Sequence, residues 1–141
     1  MLNNPTIDKL IDLKLVGMLN AFKQQQEMPE LAKLSFDERF GLLIDAEHSD
    51  RESAKLVQRL KVAKLRHSAS LEDIDFHHAR GLDRKMVGQL ATCEWIKKGL
   101  NVLITGPTGV GKTYLACAFA QKSCRLGFTT AYLRAPRFFQ E

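Results

Sequence analysis

Long apolar runs are missing from this sequence of 141 residues. None approaches the roughly 20 consecutive apolar residues that a membrane-spanning helix requires. The first five residues also lack the basic and apolar regions of a secretory signal peptide. We therefore expect a protein without a membrane partner that works in the cytoplasm.

Cysteines are few, and their spacing does not match a metal site. There are three of them, an odd number, which is typical of a reducing compartment rather than of a disulfide framework. Cys117 and Cys124 lie seven residues apart on one predicted helix. We expect both to be buried as small hydrophobic side chains.

Positive charge is concentrated in one short block of the chain. The net charge is +5, yet residues 1–50 carry more carboxylates than cations. Residues 51–66 gather the basic excess against the single carboxylate of Glu52. Such a block could neutralise DNA phosphates without reading their sequence, or it could be a solvated helix face. The candidate DNA contacts are Arg51, Lys55, Arg59, Lys61, Lys64 and Arg66.

A phosphate-binding pattern occupies residues 106–113. They read Gly-Pro-Thr-Gly-Val-Gly-Lys-Thr, which matches G-x-x-x-x-G-K-[ST], the Walker A motif. The apolar residues 101–105 before it predict a strand, and residues 114–120 after it predict a helix. Strand, loop and helix in this order are the context that the pattern requires. The sequence therefore predicts a site for a nucleoside triphosphate, ATP, with Mg²⁺.

Each residue type in the motif has a physical role. The glycines allow the backbone to approach phosphate and to adopt positive φ, and the following helix directs its first N–H groups at the anion. Lys112 should reach the β- and γ-phosphates, and the Thr113 hydroxyl should coordinate Mg²⁺, so these two form the catalytic set. The predicted ATP contacts are Gly106, Pro107, Thr108, Gly109, Val110, Gly111, Lys112, Thr113 and Tyr114.

The first 67 residues predict a helical region. Apolar residues at helical spacing indicate one helix from an N-cap at Thr6 to about Gln26. Ser35 and Glu38 form a capping box for the next helix. A second such pattern, over residues 49–52, leaves open whether a helix restarts there or continues through.

Residues 68–141 predict alternating helix and strand. Asp83 should cap one helix, and Gly127 should follow the end of another in a left-handed conformation. The expected order is a connector over 68–80, a helix over 83–99, a strand over 101–105, a helix ending at 126, a strand over 128–133 and a helical turn from 135. The right-handed crossover rule makes the two strands parallel.

Acidic residues are nearly absent after the motif. Only Glu141 follows Thr113, although a P-loop hydrolase needs an acidic residue at the end of another strand. Two strands are also too few for a parallel sheet covered on both faces. The expected fold is therefore α/β: a helical region over 1–67, then over 68–141 the start of a three-layer P-loop domain that is incomplete at the C-terminus.

Several strings in the sequence go beyond the general phosphate-binding pattern. They are RLKVAKLR at 59–66, LEDIDF at 71–76, RGLD at 80–83, WI at 95–96, NVLITGPTGVGKTYLA at 101–116 and RAPR at 134–137. Together they closely resemble the IstB-like ATP-binding proteins, helper ATPases of bacterial insertion sequences that belong to the AAA+ class and are related to DnaC-type helicase loaders.

The resemblance implies an ATP-dependent helper of DNA transposition. It implies double-stranded DNA, the transposase of the same element and further copies of the chain as partners. The family's second acidic motif, sensor residues and arginine finger have no counterpart in these residues, which leaves ATP hydrolysis open. A replicative helicase loader and a non-functional remnant of a helper gene stay as alternatives. A small-molecule kinase is disfavoured because about a hundred residues precede the motif.

Overall fold

The computed structural model describes residues 4–77 and 81–140, with the Arg137 side chain left out. The chain divides into two compact units, Met1–Lys55 and Leu56–Glu141. Arg80 and Glu141, which the sequence analysis names, lie outside the described residues. The helices are α1 over Pro5–Asp12, α2 over Val16–Glu27, α3 over Phe36–Ala63, α4 over Arg84–Leu90, α5 over Glu94–Lys97, α6 over Lys112–Arg125 and α7 over Ala135–Phe138, with 3₁₀ turns at Pro29–Lys33 and Leu71–Asp73.

The first unit begins with a helix that ends earlier than expected. The Asn4 side chain, not Thr6, caps α1 by accepting the Thr6 amide at 3.0 Å. The single helix predicted to Gln26 is wrong, because Lys14 takes a left-handed conformation with φ of 58°. The amide of Leu15 then bonds the Leu10 carbonyl at 3.0 Å and closes the helix end. Glycine after a helix indicates a helix end in the sequence, whereas a lysine at that position does not.

Helix α2 lies very close to α3 within this unit. A Cβ added at Gly17 would stand 2.6 Å from the Ala46 carbonyl oxygen and 2.8 Å from Asp50 Cβ. The buried Glu47 carboxylate accepts the Met18 amide at 3.1 Å. Glycine at position 17 therefore permits the backbone approach.

The capping box at the start of α3 is confirmed. The Ser35 amide donates to Glu38 at 3.0 Å, and the Glu38 amide donates to the Ser35 hydroxyl at 3.2 Å. The helix then passes without interruption through residues 49–52 and ends after 28 residues at Ala63. The second capping pattern does not start a new helix, because each interior amide already has a partner one turn earlier. Residues 36–55 belong to the first unit, and residues 56–63 belong to the second.

The core of the second unit is built on α6. Cys117 and Ala118 are fully buried against Ala69, and Leu65 and Tyr132 pack around them. All three cysteines are free and fully buried, so the expected burial of Cys117 and Cys124 is confirmed.

A hydrogen bond and an ion pair connect the end of α6 to α3 and to the turn Leu71–Asp73. Arg59 Nε donates to the Cys124 carbonyl at 2.8 Å. Arg125 pairs with Glu72 at 2.9 Å. The Ser70 hydroxyl, followed by the Glu72 amide and Arg125, lowers the pKa of the Glu72 carboxyl to about 2. The α6 terminus is therefore tied to both α3 and the turn Leu71–Asp73.

The start of α4 and the end of α6 follow local sequence signals. Asp83 caps α4 by accepting the Lys85 amide at 3.0 Å, as expected. Gly127 follows α6 with φ of 96°, and the Phe128 amide bonds the Ser123 carbonyl at 2.9 Å, which is the Schellman arrangement. The prediction of one helix over 83–99 is wrong, because Cys93, whose φ is 58°, separates α4 from α5.

The two expected strands are not assigned as strands. Residues 101–105 and 128–133 carry no regular assignment, and no residue of the described ranges is assigned to a strand. A strand assignment needs a hydrogen-bonded neighbour, and these two segments do not pair with each other. Burial nevertheless alternates along both, with Val102 and Ile104 half-buried and Leu103 88% exposed. The helical elements of the expected α/β arrangement are thus present, whereas its parallel sheet is not seen.

Of the helices in the described ranges, none combines the length and apolarity that crossing a bilayer demands.

Candidate nucleotide-binding site

The glycine-rich loop connects residues 101–105 to α6. Gly109 and Gly111 have φ of 87° and 94°, a region that side chains with a Cβ rarely adopt. Nothing lies within 4 Å of a Cβ added at Gly109. Backbone conformation, rather than lack of space, therefore requires glycine at position 109.

The N-terminus of α6 has no side-chain cap. Gly111 occupies the capping position, and its carbonyl accepts the Leu115 amide at 3.0 Å. The first-turn amides that follow Gly111 therefore have no partner within the helix. In a helix of 14 residues these amides and the positive end of the dipole favour an anion at this point.

Lys112 folds back over the loop. Its ammonium group donates a hydrogen bond to the Gly106 carbonyl. A Cβ at Gly106 would make only ordinary contacts, 3.8 Å from Lys112 Cδ and 3.4 Å from Val110 Cγ2, so space alone does not require glycine there. The single positive charge of the motif thus lies against the same concavity that the loop encloses.

A cavity of about 300 Å³ opens beside the loop. Gly111, Lys112 and Tyr114 bound one side of it, and the segment leading into α4 bounds the other. The sequence patterns did not indicate that these residues would bound the site. The only signal was the apolar spacing in α4, which also fits an ordinary core face, although Met86 is 58% exposed. The apolar residues concerned are Leu82, Met86, Val87 and Leu90.

The cavity therefore has two chemically different parts. The loop side offers backbone amides and an ammonium group, which suit phosphate. The α4 side offers aliphatic side chains, which suit a flat, weakly polar group. This arrangement matches the two ends of a nucleotide.

The structure divides the six candidate DNA contacts into two groups. Three have partners within the protein. Arg51 pairs with Glu47 at 2.7 Å, and Lys55 pairs with Glu52 at 3.2 Å, both in the first unit. Arg59 bonds the end of α6, as described above.

The other three cations, Lys61, Lys64 and Arg66, lie exposed at the end of α3 and just beyond it. Lys64 has φ of 51° and marks the point where the helix stops. The ring of the next residue, His67, lies near that of Tyr114 in a tilted arrangement, with centroids 6.4 Å apart. The exposed cations are therefore close in sequence to His67, whose ring lies near that of Tyr114 in the first turn of α6.

A family model supplies an independent comparison. Residues 8–141 match the model described as IstB-like ATP binding protein. The match covers nearly the whole chain and includes the glycine-rich loop.

Individual proteins give the same result. A Pseudomonas fluorescens protein named for ATP binding in insertion sequence IS1162 is 44% identical over 142 residues, covering 100% of this chain. A Sinorhizobium fredii protein with a similar name is 45% identical over 139 residues, and one from Mycobacterium tuberculosis is 33% identical over 129 residues, covering 99% and 92% of this chain. The chain spans 62%, 57% and 51% of the lengths of these three relatives.

Proposed function

Because the chain belongs to the family of IstB-like ATP-binding proteins, we propose that it binds ATP with Mg²⁺ at residues 106–113 as a helper of insertion-sequence transposition. The observation that carries the proposal is the left-handed backbone at Gly109 and Gly111, directly before the uncapped N-terminus of α6. Such a turn presents several amides to one anion. The relatives' names refer to ATP binding and to insertion sequences.

Lys112 changes its partner when nucleotide binds. The Gly106 carbonyl that now accepts its hydrogen bond is a neutral acceptor, whereas a phosphate oxygen is charged and forms a stronger bond. The Thr113 hydroxyl, in the first turn of α6, would supply one oxygen ligand to a magnesium ion bound with the nucleotide. The ion would neutralise part of the phosphate charge.

The adenine base occupies the aliphatic side of the cavity. Leu82, Met86 and Val87 provide the apolar contacts there. A cavity of about 300 Å³ lies at the lower end of the range for small-molecule sites, roughly 300–1,000 Å³. The base therefore fits beside α4 while the phosphates lie along the loop.

Double-stranded DNA is the second ligand. Lys61, Lys64 and Arg66 are exposed and form its primary phosphate contacts. Arg51, Lys55 and Arg59 are secondary, because each must first leave a partner inside the protein. The other partners are the transposase of the same element and further copies of the chain. The protein acts in the cytoplasm.

Isothermal titration with a non-hydrolysable ATP analogue and Mg²⁺ tests the nucleotide site. Lys112→Ala should lower affinity about 10- to 100-fold, since a hydrogen bond from a charged group contributes about 1.5–3 kcal/mol. Lys98→Ala, which removes a cation outside the cavity lining, is the matched control and should leave affinity unchanged. Equal affinity of the Lys112→Ala variant and the parent, with unchanged circular dichroism, would refute the assignment.

A further inference from the structure

Tyr114 belongs to the nucleotide cavity and to the edge of the core at the same time. It lines the cavity beside Lys112. Its half-buried side chain also packs against the buried core residues Ala69, Cys117 and Ala118. A shift of this side chain would therefore change the shape of the cavity wall.

The backbone of Tyr114 lies at the point where an anion would bind. The Leu115 amide bonds the Gly111 carbonyl at 3.0 Å, which is the first such bond of α6. The Tyr114 amide, one position earlier, is thus among the first-turn donors that have no partner within the helix. Such donors favour an anion. The placement of Tyr114 should therefore affect the phosphates as well as the cavity wall.

The segment over residues 64–69 connects the end of α3 to the core and is held at both ends. At one end, the carbonyl of the buried Ala63 accepts the Tyr132 amide at 2.8 Å. At the other end, Ala69 is buried in the core cluster. Residues 66–68 between them are exposed. The fixed ends restrict where these exposed residues can lie.

His67, in the middle of this segment, meets Tyr114 through its ring. The two ring centroids are 6.4 Å apart, and the ring planes are inclined by 45°. Aromatic rings at this separation attract each other beyond the area that they bury. Because the segment is held at both ends, its backbone keeps the His67 ring beside that of Tyr114.

The pair contributes more to geometry than to folding. His67 is exposed, and replacement of an exposed residue usually changes stability little. The position of the Tyr114 ring, by contrast, determines part of the cavity wall. The contact should therefore be detected in ligand binding rather than in unfolding.

We propose that His67 is a positioning residue of the nucleotide site. Its ring holds that of Tyr114, and through it the first turn of α6 and the adjoining wall of the cavity. His67 lies outside the lining that the described residues form, so it acts through Tyr114. This inference rests on the proposed binding of ATP at residues 106–113.

Isothermal titration with a non-hydrolysable ATP analogue and Mg²⁺ measures the effect. His67→Ala should lower affinity about 3- to 10-fold, which corresponds to the usual contribution of an aromatic pair. His67→Phe keeps a ring and should retain affinity to within about twofold. His67→Gln keeps a polar side chain without a ring and should behave like His67→Ala. The matched control is His48→Ala, which removes an exposed histidine of the first unit and should bind as the parent does.

A double-mutant cycle with Tyr114→Leu shows whether His67 acts through Tyr114. Once the Tyr114 ring is absent, His67→Ala should lower affinity no further. A role of His67 in overall stability would instead give the same loss with and without that ring. The comparison of His67→Ala with His67→Phe leaves Tyr114 unchanged, so it tests the inference even if Tyr114→Leu does not fold.

Three results would overturn the inference while the parent still binds the analogue and Lys112→Ala does not. They are unchanged affinity of His67→Ala, a loss of affinity in His67→Phe as large as in His67→Ala, and equal losses in the presence and absence of the Tyr114 ring. Failure of the parent itself to bind the analogue would overturn the proposed function, and this inference with it.

Discussion

The carboxylate of Glu47 in α3 accepts a hydrogen bond from the Met18 amide in the first turn of α2, at 3.1 Å and across 29 positions of sequence. Helix α2 has no cap of its own, because Leu15 occupies the capping position and forms no side-chain bond. Arg51 holds the same carboxylate from the other side at 2.7 Å. A side chain distant in sequence therefore performs the capping role that a local Ser or Asp usually performs.

The Glu47 carboxylate should make the stability of the chain decrease as the pH falls. The hydrogen bond from Arg51, followed by that from Met18, lowers the pKa of the Glu47 carboxyl below 4.5. A group with a lowered folded-state pKa stabilises the fold above its unfolded pKa and loses that contribution as pH falls through the folded value. Below about pH 4.5 the melting temperature should therefore fall more steeply in the parent than in Glu47→Gln. Parallel pH profiles in thermal melts would contradict this role.

Gly17→Ala should destabilise the chain. The added Cβ would meet the Ala46 carbonyl at 2.6 Å, and overpacking of this kind costs about 1–3 kcal/mol. Gly41→Ala is the matched control in α3, where nothing lies within 4 Å of the new Cβ. The control should stabilise by up to about 1 kcal/mol through helix propensity. Urea unfolding measures both, and a stabilised Gly17→Ala variant would show that the two helices separate easily.

Gly109→Ala should weaken nucleotide binding without a clash. Its φ of 87° is strained for alanine although the space is open, and the cost is about 1–2 kcal/mol. Relaxation of the loop would turn amides away from the phosphates, so affinity for the ATP analogue should fall about tenfold. Gly88→Ala in α4, also in open space, should keep full affinity. A Gly109→Ala variant that binds as well as the parent would indicate that the amides of this turn do not hold phosphate.

Arg59→Ala should reduce stability more than Lys61→Ala does. Arg59 Nε donates to the Cys124 carbonyl, and a hydrogen bond from a charged donor contributes about 1.5–3 kcal/mol. Lys61 is exposed, so its replacement should change stability by less than about 0.5 kcal/mol. Denaturant unfolding compares the two. Equal effects would show that the bond to the end of α6 does not contribute.

Reversing charge at Lys61 and Lys64 should weaken DNA retention and flatten its salt dependence. Each lost phosphate contact lowers the slope of log affinity against log salt by about 0.9, so the double variant should lose close to 2. The measurement is fluorescence anisotropy with a duplex at several salt concentrations. Lys97→Glu with Lys98→Glu introduces the same charge change elsewhere and should leave most of the slope intact. An unchanged slope in the Lys61/Lys64 variant would exclude a phosphate-contacting role for these lysines.

Local signals in the sequence predicted several features because each depends on residues close together in the chain. The capping box at Ser35 and Glu38, the Asp83 cap and the glycine after α6 are confirmed. Each pairs a side chain or a special φ with backbone groups only two to four positions away. The same reasoning failed at Lys14 and Cys93, where residues other than glycine adopt positive φ.

Distant contacts could not be predicted from the sequence. The charge block at residues 51–66 predicts candidate DNA contacts, but Arg51 and Arg59 are engaged by a carboxylate and a helix-end carbonyl. The α4 side of the nucleotide cavity likewise resembles an ordinary core face in sequence. Only chain packing brings these groups together, since partners such as Arg59 and Cys124 are separated by 65 positions.

The amino-acid sequence by itself determined where most of the helical segments lie, the caps at Ser35, Asp83 and Gly127, the glycine-rich pattern and the family, because these follow from neighbouring residues and short-range steric preferences. Tertiary structure alone decided which cations remain exposed, what bounds the second side of the cavity, and that residues 101–105 and 128–133 do not pair with each other. The physical reason is that a strand is completed only by hydrogen bonds to a neighbouring strand. The alternating pattern of residues 101–105 indicates which side chains face inward, but it does not indicate which segment of backbone lies beside them.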